Sequence, residues 1–380
     1  MQWKWSLRTL KKVFATYIMG YGVNRWDLKP EDYDCLWEYV TDDNVTDIDL
    51  NCNGKELWIT DLEKGRYRVE DLPESCNAKF VTTFCQRVAN KVSKQFNKKE
   101  PLLEAETGKL RISCVYDTAA VSGISISIRK SLPFARIEAE TAVETGYVSR
   151  EVLNLLVNCV KARMNFVACG EPGSGKTECV KFLSQFIKAS ERVITIEDNL
   201  ELHYREINPG KDCVEFQVTN EFPYTTAIKA CLRQGPKWIF LSEARSREVR
   251  YLLECWSTGI HGFTTIHADD VRKVPDRIQN MMGDEGDGDR IENNIFNFVD
   301  VGIMLKKKEM EDKSVHRWID QVCFYIRGTD KNRVVMVCDN GQLITEDTPS
   351  GKRPVALPED VIKKMRFVDI DNPYECEEVI

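Results

Sequence analysis

Hydrophobic and polar positions change rhythm along this chain. Between about Asp42 and Lys130 they alternate: the runs VTDIDLNCNGKELWITDLEKGRYRV, KLRISCVYD and GISISIRK place an apolar residue at nearly every second position. That is the period of strands with one face buried. Asn53-Gly54 and Lys64-Gly65 are turn signals that break the first run into hairpins. One stretch inside this region, FVTTFCQRVANKVSKQF, reads instead as a helix. From about Gly146 onward, short β-rich runs alternate with helical ones, the pattern of a parallel sheet covered by helices. The charged, Pro-containing KSLPFARIEAETAVE between the two regions reads as a linker. At the start, MQWKWSLRTLKKVFATYIMGY sets Leu7, Leu10, Phe14 and Tyr17 at helical spacing, with Lys4, Arg8, Lys11 and Lys12 on other faces. Such a basic amphipathic helix either lies on a membrane surface or docks on its own protein.

Composition narrows the class. With 380 residues the chain is long enough for two domains, and 42% hydrophobic with 30% charged residues is the balance of a soluble globular protein. No apolar run approaches bilayer length and no cleavable leader opens the chain, so a cytoplasmic protein is expected. The 14 cysteines are scattered, without a CxxC pair to hold zinc, and are expected reduced and mostly buried. A net charge of −7 argues against direct nucleic-acid binding and for protein partners. The run GDEGDGD, Gly283 to Asp289, lacks calcium-loop spacing and reads as a surface loop.

The chemistry begins at NFVACGEPGSGKTECVKFLSQF. Gly170, Gly175, Lys176 and Thr177 fit GxxxxGK[ST], between a short buried strand (FVAC) and a helix carrying Val180, Leu183 and Ile187 on one stripe. A helix N-terminus offers unpaired N–H groups and the positive end of its dipole to phosphate. Glycines let the backbone close around the anion. The expected cradle is Gly170, Glu171, Pro172, Gly173, Ser174, Gly175, Lys176, Thr177 and Glu178, with Lys176 on the β- and γ-phosphates of ATP and Thr177 on Mg²⁺.

Three other apolar strands end in acids, an arginine or a histidine. RVITIEDNLEL delivers Glu197, Asp198 and Glu201; KWIFLSEAR delivers Glu243 and Arg245; GFTTIHADD delivers His267. Ligands of an open parallel sheet bind outside the carboxyl ends of its strands, so four such ends are expected to converge on one edge.

These segments resemble the Walker A, Asp box, Walker B and His box of the type II/IV secretion ATPases, and the resemblance runs from about Asp42 to Leu305. It implies an α/β protein with an N-terminal α+β domain followed by a RecA-like P-loop domain with a mainly parallel sheet. The organisation expected is a basic helical segment over 1–41, the α+β domain over 42–133, a linker over 134–145 and the ATPase domain over 146–380. It implies a homohexamer that hydrolyses ATP with Mg²⁺ and moves its domains to power a type IV secretion, conjugation or pilus-assembly machine. The partners implied are membrane-embedded platform proteins, at the inner face of the cytoplasmic membrane. By resemblance, Glu197 and Glu201 share the acidic Asp-box positions, either of them positioning water. Glu243 holds Mg²⁺ through water or polarises the nucleophile, and His267 reaches the γ-phosphate or a neighbouring subunit. Arg111 and Arg129 close over nucleotide from the N-terminal domain, and Arg233 and Arg245 stand near Walker B as ion-pair partners or phosphate sensors.

The pattern departs from the family at Lys237, Ser242 and the displaced His261 of TGIHGF, and it lacks the four-cysteine zinc insertion, which points to the conjugation and tight-adherence branches. Three competing readings are a small-molecule P-loop kinase, a nucleic-acid translocase and an ATP-binding scaffold with little turnover.

Overall fold

A computed structural model describes residues 28–107, 109–283, 288–311, 313–349 and 351–377. The basic helix expected at the start lies outside the described residues up to 27, as does the centre of the GDEGDGD run, 284–287. Backbone contacts divide the chain into two units, residues 28–60 with 67–131 and residues 61–66 with 132–377.

A six-stranded sheet, drawn from the first unit except for the β2–β3 turn and the strand residues Asp61, Gly65 and Arg66 beside it, has the order β3-β2-β1-β6-β5-β4. Its strands are β1 (Val45–Asn51), β2 (Glu56–Asp61), β3 (Gly65–Arg68), β4 (Leu102–Glu106), β5 (Leu110–Val115) and β6 (Ser125–Lys130). The alternation read from the sequence becomes alternating burial: Leu110, Ile112 and Cys114 on β5, and Ile126 and Ile128 on β6, are buried. A helix, Ala78–Lys91, buries Val81, Phe84, Cys85, Val88 and Ala89 in the same core. Asn77 caps it, its side-chain oxygen accepting from the amides of Lys79 and Phe80. Leu28, Tyr33 and Leu36 also enter this core, so the described part of the 1–41 segment is built into the N-terminal unit. These apolar residues sit in turns too short to show a period, which hid their destination from a periodicity argument.

The second unit contains a nine-stranded sheet, β15-β14-β13-β12-β7-β11-β10-β8-β9. Its strands are β7 (Phe166–Gly170), β8 (Val193–Glu197), β9 (Cys213–Gln217), β10 (Trp238–Leu241), β11 (His261–Ile266), β12 (Val301–Glu309), β13 (Val315–Ile326), β14 (Arg333–Asp339) and β15 (Gln342–Leu343). From β12 through β7, β11, β10 and β8 to β9 every pairing is parallel; β13, β14 and β15 add antiparallel strands at one side. β7, β8 and β10 are buried on both faces, which is why they read as unbroken apolar runs rather than alternating ones. Phe166 and Ala168 enter the core on one face, Val167 and Cys169 the core on the other. Phe166 stacks on Phe263 at 4.4 Å, tying the first strand of the unit to β11. Within the stretch expected to be a linker, Ala139–Glu144 forms a helix and Ala142 is buried in the second unit's core.

Candidate active site

β7 ends at Gly170 and the helix Lys176–Ser184 begins after residues 171–175, so the loop lies between a strand end and a helix N-terminus. Gly170 has φ 149° and Gly175 φ 94°, both in the region that glycine alone enters freely. A Cβ on Gly170 would lie 2.5 Å from the Leu305 carbonyl oxygen and 2.6 Å from Ser174 Oγ. The tight closure therefore depends on hydrogen at that position. Lys176 Nζ donates to the carbonyls of Gly170 at 3.0 Å and Glu171 at 3.1 Å, and lies 3.4 Å from His267 Nδ1. Burial holds the Lys176 ammonium below its ordinary pKa, opposed by the charges of Glu243 and Glu201. A desolvated ammonium resting on neutral carbonyls favours an anion that enters beside it.

The neighbouring strand ends supply the rest. β11, β10 and β8 lie in sequence beside β7, and their carboxyl ends deliver His267, Glu243 with Arg245, and Glu197 with Asp198. Glu243 accepts from His267 Nε2 at 2.9 Å and ion-pairs with Arg245 at 2.7 Å; Arg245 also reaches Asp198 at 2.8 Å. Since His267 Nδ1 faces the Lys176 donor, its Nε2 is the donor toward Glu243. One continuous chain of polar contacts thus runs Lys176, His267, Glu243, Arg245, Asp198. Burial alone would push the Glu243 carboxyl up, but the Arg245 hydrogen bond and charge, with His267 and Lys176, hold it below the ordinary range. It is ionised at neutral pH.

The two Asp-box glutamates take different places. Glu201 Oε2 lies 3.4 Å from Thr177 Oγ1, at the mouth of the cradle. Glu197 is fully buried, its Oε2 accepting from the amides of Glu201 at 2.9 Å and Leu202 at 3.0 Å. Burial pushes its pKa up to about 8, although those two amides and the Thr195 hydroxyl favour the charged form. Glu197 therefore shapes the turn that presents Glu201.

Other residues expected in the site are placed elsewhere. Glu178 pairs with Lys181 at 3.0 Å and accepts from the Arg136 amide at 3.3 Å. Arg111 and Arg129 face each other across β5 and β6 in the N-terminal unit, and Arg129 pairs with Asp47 at 2.8 Å. His261 begins β11 and so stands at the opposite sheet edge from His267, where burial first, then Lys237 and Arg163, lower its pKa to about 4. Exposed Arg233 follows the helix Tyr224–Leu232 just before β10, away from the carboxyl ends.

The sequence reading missed two cations. Lys307 Nζ donates to the Pro172 carbonyl at 2.8 Å and Arg317 Nε to the Gly173 carbonyl at 3.0 Å. β12, an apolar run that continues into Lys306-Lys307-Lys308, is a further parallel strand reaching the same edge and was legible as one. Arg317 arrives on an antiparallel strand, for which no strand-end rule applies. A cavity of about 750 Å³ opens beside the cradle, lined in part by Glu171, His267, Lys273, Arg277 and Lys307.

Residues 103–306, more than half of the chain, match the family described as type II/IV secretion system protein. A putative conjugal transfer protein of Mycobacterium tuberculosis is 27% identical over 293 residues, 73% of this chain and 77% of that protein. The type IV secretion system protein VirB11 of Bartonella quintana is 26% identical over 193 residues, 48% of this chain and 53% of that one. Among solved structures, the ATPase DotB of Yersinia pseudotuberculosis aligns with a TM-score of 0.60 at 15% identity, over 82% of this chain and 83% of that chain. The pilus retraction motor PilT with bound ADP aligns at 0.56 and 18% identity, over 80% of this chain and 84% of that chain. At such identities these two structures show a common fold.

Proposed function

The chain belongs to the type II/IV secretion system family, and on that premise we propose that it hydrolyses ATP to ADP and phosphate to drive a conjugation, type IV secretion or pilus-assembly machine. The observation that carries this reading is the convergence of the loop with three strand ends, linking Lys176 through His267 and Glu243 to Arg245 while Thr177 faces Glu201. Lys176, resting on carbonyls, would transfer to phosphate oxygens. Glu243 and Glu201 would orient water, and His267 would couple Glu243 to Lys176.

The same residues fit a Mg²⁺ ion that enters with nucleotide. Such an ion takes one or two protein oxygens beside phosphates and water, and would lower the charge of the triphosphate as it reacts. Thr177 Oγ1 is the oxygen at the helix start, with Glu201 as the carboxylate beside it, and Glu243 is linked through His267 to Lys176. Among the described residues no cluster of three or more His, Cys, Asp or Glu could hold a metal by itself.

The proposal includes a homohexamer whose domains move with the nucleotide cycle, docked on membrane-embedded platform proteins at the inner face of the cytoplasmic membrane. Among the described residues no helix is long and apolar enough to cross a membrane. That Arg111 and Arg129 act on the nucleotide rests on the family resemblance.

The deciding assay is phosphate release by the wild type, Lys176→Ala and Glu243→Gln. Each substitution is expected to lower turnover by about 100-fold or more. Equal residual release in all three proteins would leave only an ATP-binding scaffold. Light scattering with a non-hydrolysable analogue tests for a particle of six times the chain mass.

A further inference from the structure

The β12–β13 ladder places Lys307 directly opposite Arg317. Like charges in that position repel and cost stability unless something compensates them. The adjacent residue, Lys306, is compensated: it pairs with buried Asp320 at 2.7 Å. Lys307 and Arg317 are not, since neither makes an ion pair among the described residues, and each ends on a backbone carbonyl of the loop. With Lys176 on Gly170 and Glu171, three cationic side chains cover the four consecutive carbonyls of Gly170, Glu171, Pro172 and Gly173. Arg317 lies against the helix start as well, its Cδ 3.5 Å from where a Gly175 Cβ would stand. Burial and the nearby Arg136 charge disfavour its guanidinium, and Glu178 offsets them only in part.

Neutral donors would satisfy the two carbonyls equally well. Two opposed and uncompensated cations at the rim of an anion cradle are arranged for an anion not supplied by the protein. We propose that Lys307 and Arg317 form a second cationic wall of the cradle that binds the phosphate chain of the nucleotide, resting on the Pro172 and Gly173 carbonyls until it arrives. This rests on the ATPase reading in naming the ligand a nucleoside triphosphate; the chemistry it claims is binding of a polyphosphate.

The experiment compares wild type, Lys307→Gln, Arg317→Gln, the double variant and Arg317→Lys by titration calorimetry with ATP and, separately, with inorganic tripolyphosphate. Glutamine keeps a donor for the loop carbonyl and removes the charge. Each single glutamine variant is expected to weaken both ligands about tenfold, with a shallower salt dependence. Arg317→Lys restores most of the affinity. Thermal melting without ligand should be unchanged or slightly raised, because the opposed charges are relieved. Unchanged affinity in the double variant, or lost affinity matched by lower melting temperature in both glutamine variants, overturns the proposal. If wild type binds tripolyphosphate but not ATP, the ATPase reading fails and the tripolyphosphate series still decides the wall; if it binds neither, both fail.

Discussion

Glu197→Gln separates a buried structural carboxyl from one that handles water. The side chain is fully buried and its pKa is raised by burial from 4.5 to about 8. A folded-state value above the unfolded one means that the folded protein holds the proton more tightly, so stability is greatest while Glu197 is protonated. It declines as pH rises from the unfolded value, and levels off above the folded one. Each pH unit between the two values corresponds to about 1.4 kcal/mol, about 5 kcal/mol across the window as an upper bound. Glutamine is the uncharged isostere, and its carbonyl oxygen can take the amides of Glu201 and Leu202. Denaturant midpoints of the second unit should therefore be nearly equal for the two proteins at about pH 4, below the unfolded value. At pH 8.5 the variant should be the more stable, by several kcal/mol at most. Turnover at pH 7.5 should fall only modestly, whereas Glu201→Gln, beside Thr177, should lower it by about 100-fold. Parallel pH–stability curves for wild type and Glu197→Gln would refute the burial argument. A larger loss of turnover in Glu197→Gln than in Glu201→Gln would refute the assignment of roles.

Three further outcomes are expected. His267→Ala breaks the link between Lys176 and Glu243 and should lower turnover by about 100-fold, while His261→Ala, at the opposite sheet edge, should leave it within about threefold in the same phosphate-release assay. Gly262→Ala would bring a Cβ to 2.1 Å from the Ile239 carbonyl oxygen and 2.6 Å from Trp256 Nε1, and should cost about 3 kcal/mol, seen as a melting temperature lower by roughly 6–10 °C. Cys35 and Cys76 have sulfurs 2.6 Å apart in the buried core of the N-terminal unit, so diamide should take one hydrogen from each thiol to close a single intramolecular disulfide. Peptide mapping would find that bond, and its absence after complete oxidant consumption would contradict the contact.

Much of this protein is written in local order. Alternation with period two marked the strands of the N-terminal sheet because only one face of each is buried, and the apolar runs of β7, β8 and β10 marked strands covered on both faces. The loop from Gly170 to Thr177 and the acids after β8 and β10 were legible because a parallel sheet puts every strand end, and whatever follows it, on one edge. What local order does not contain is which groups meet across that edge. Glu197 and Asp198 are neighbours in sequence, yet one is buried on backbone amides and the other pairs with Arg245, because β8 ends at Glu197 and Asp198 begins the more open turn that follows. Lys307 and Arg317 reach the cradle only because an antiparallel hairpin folds back beside β7, and His261 leaves it because it begins the strand that His267 follows. Composition and periodicity decide which segments become strands and which edge bears the chemistry. The pairing of one carboxylate with one cation is decided by register and burial, which depend on contacts between residues far apart in the chain.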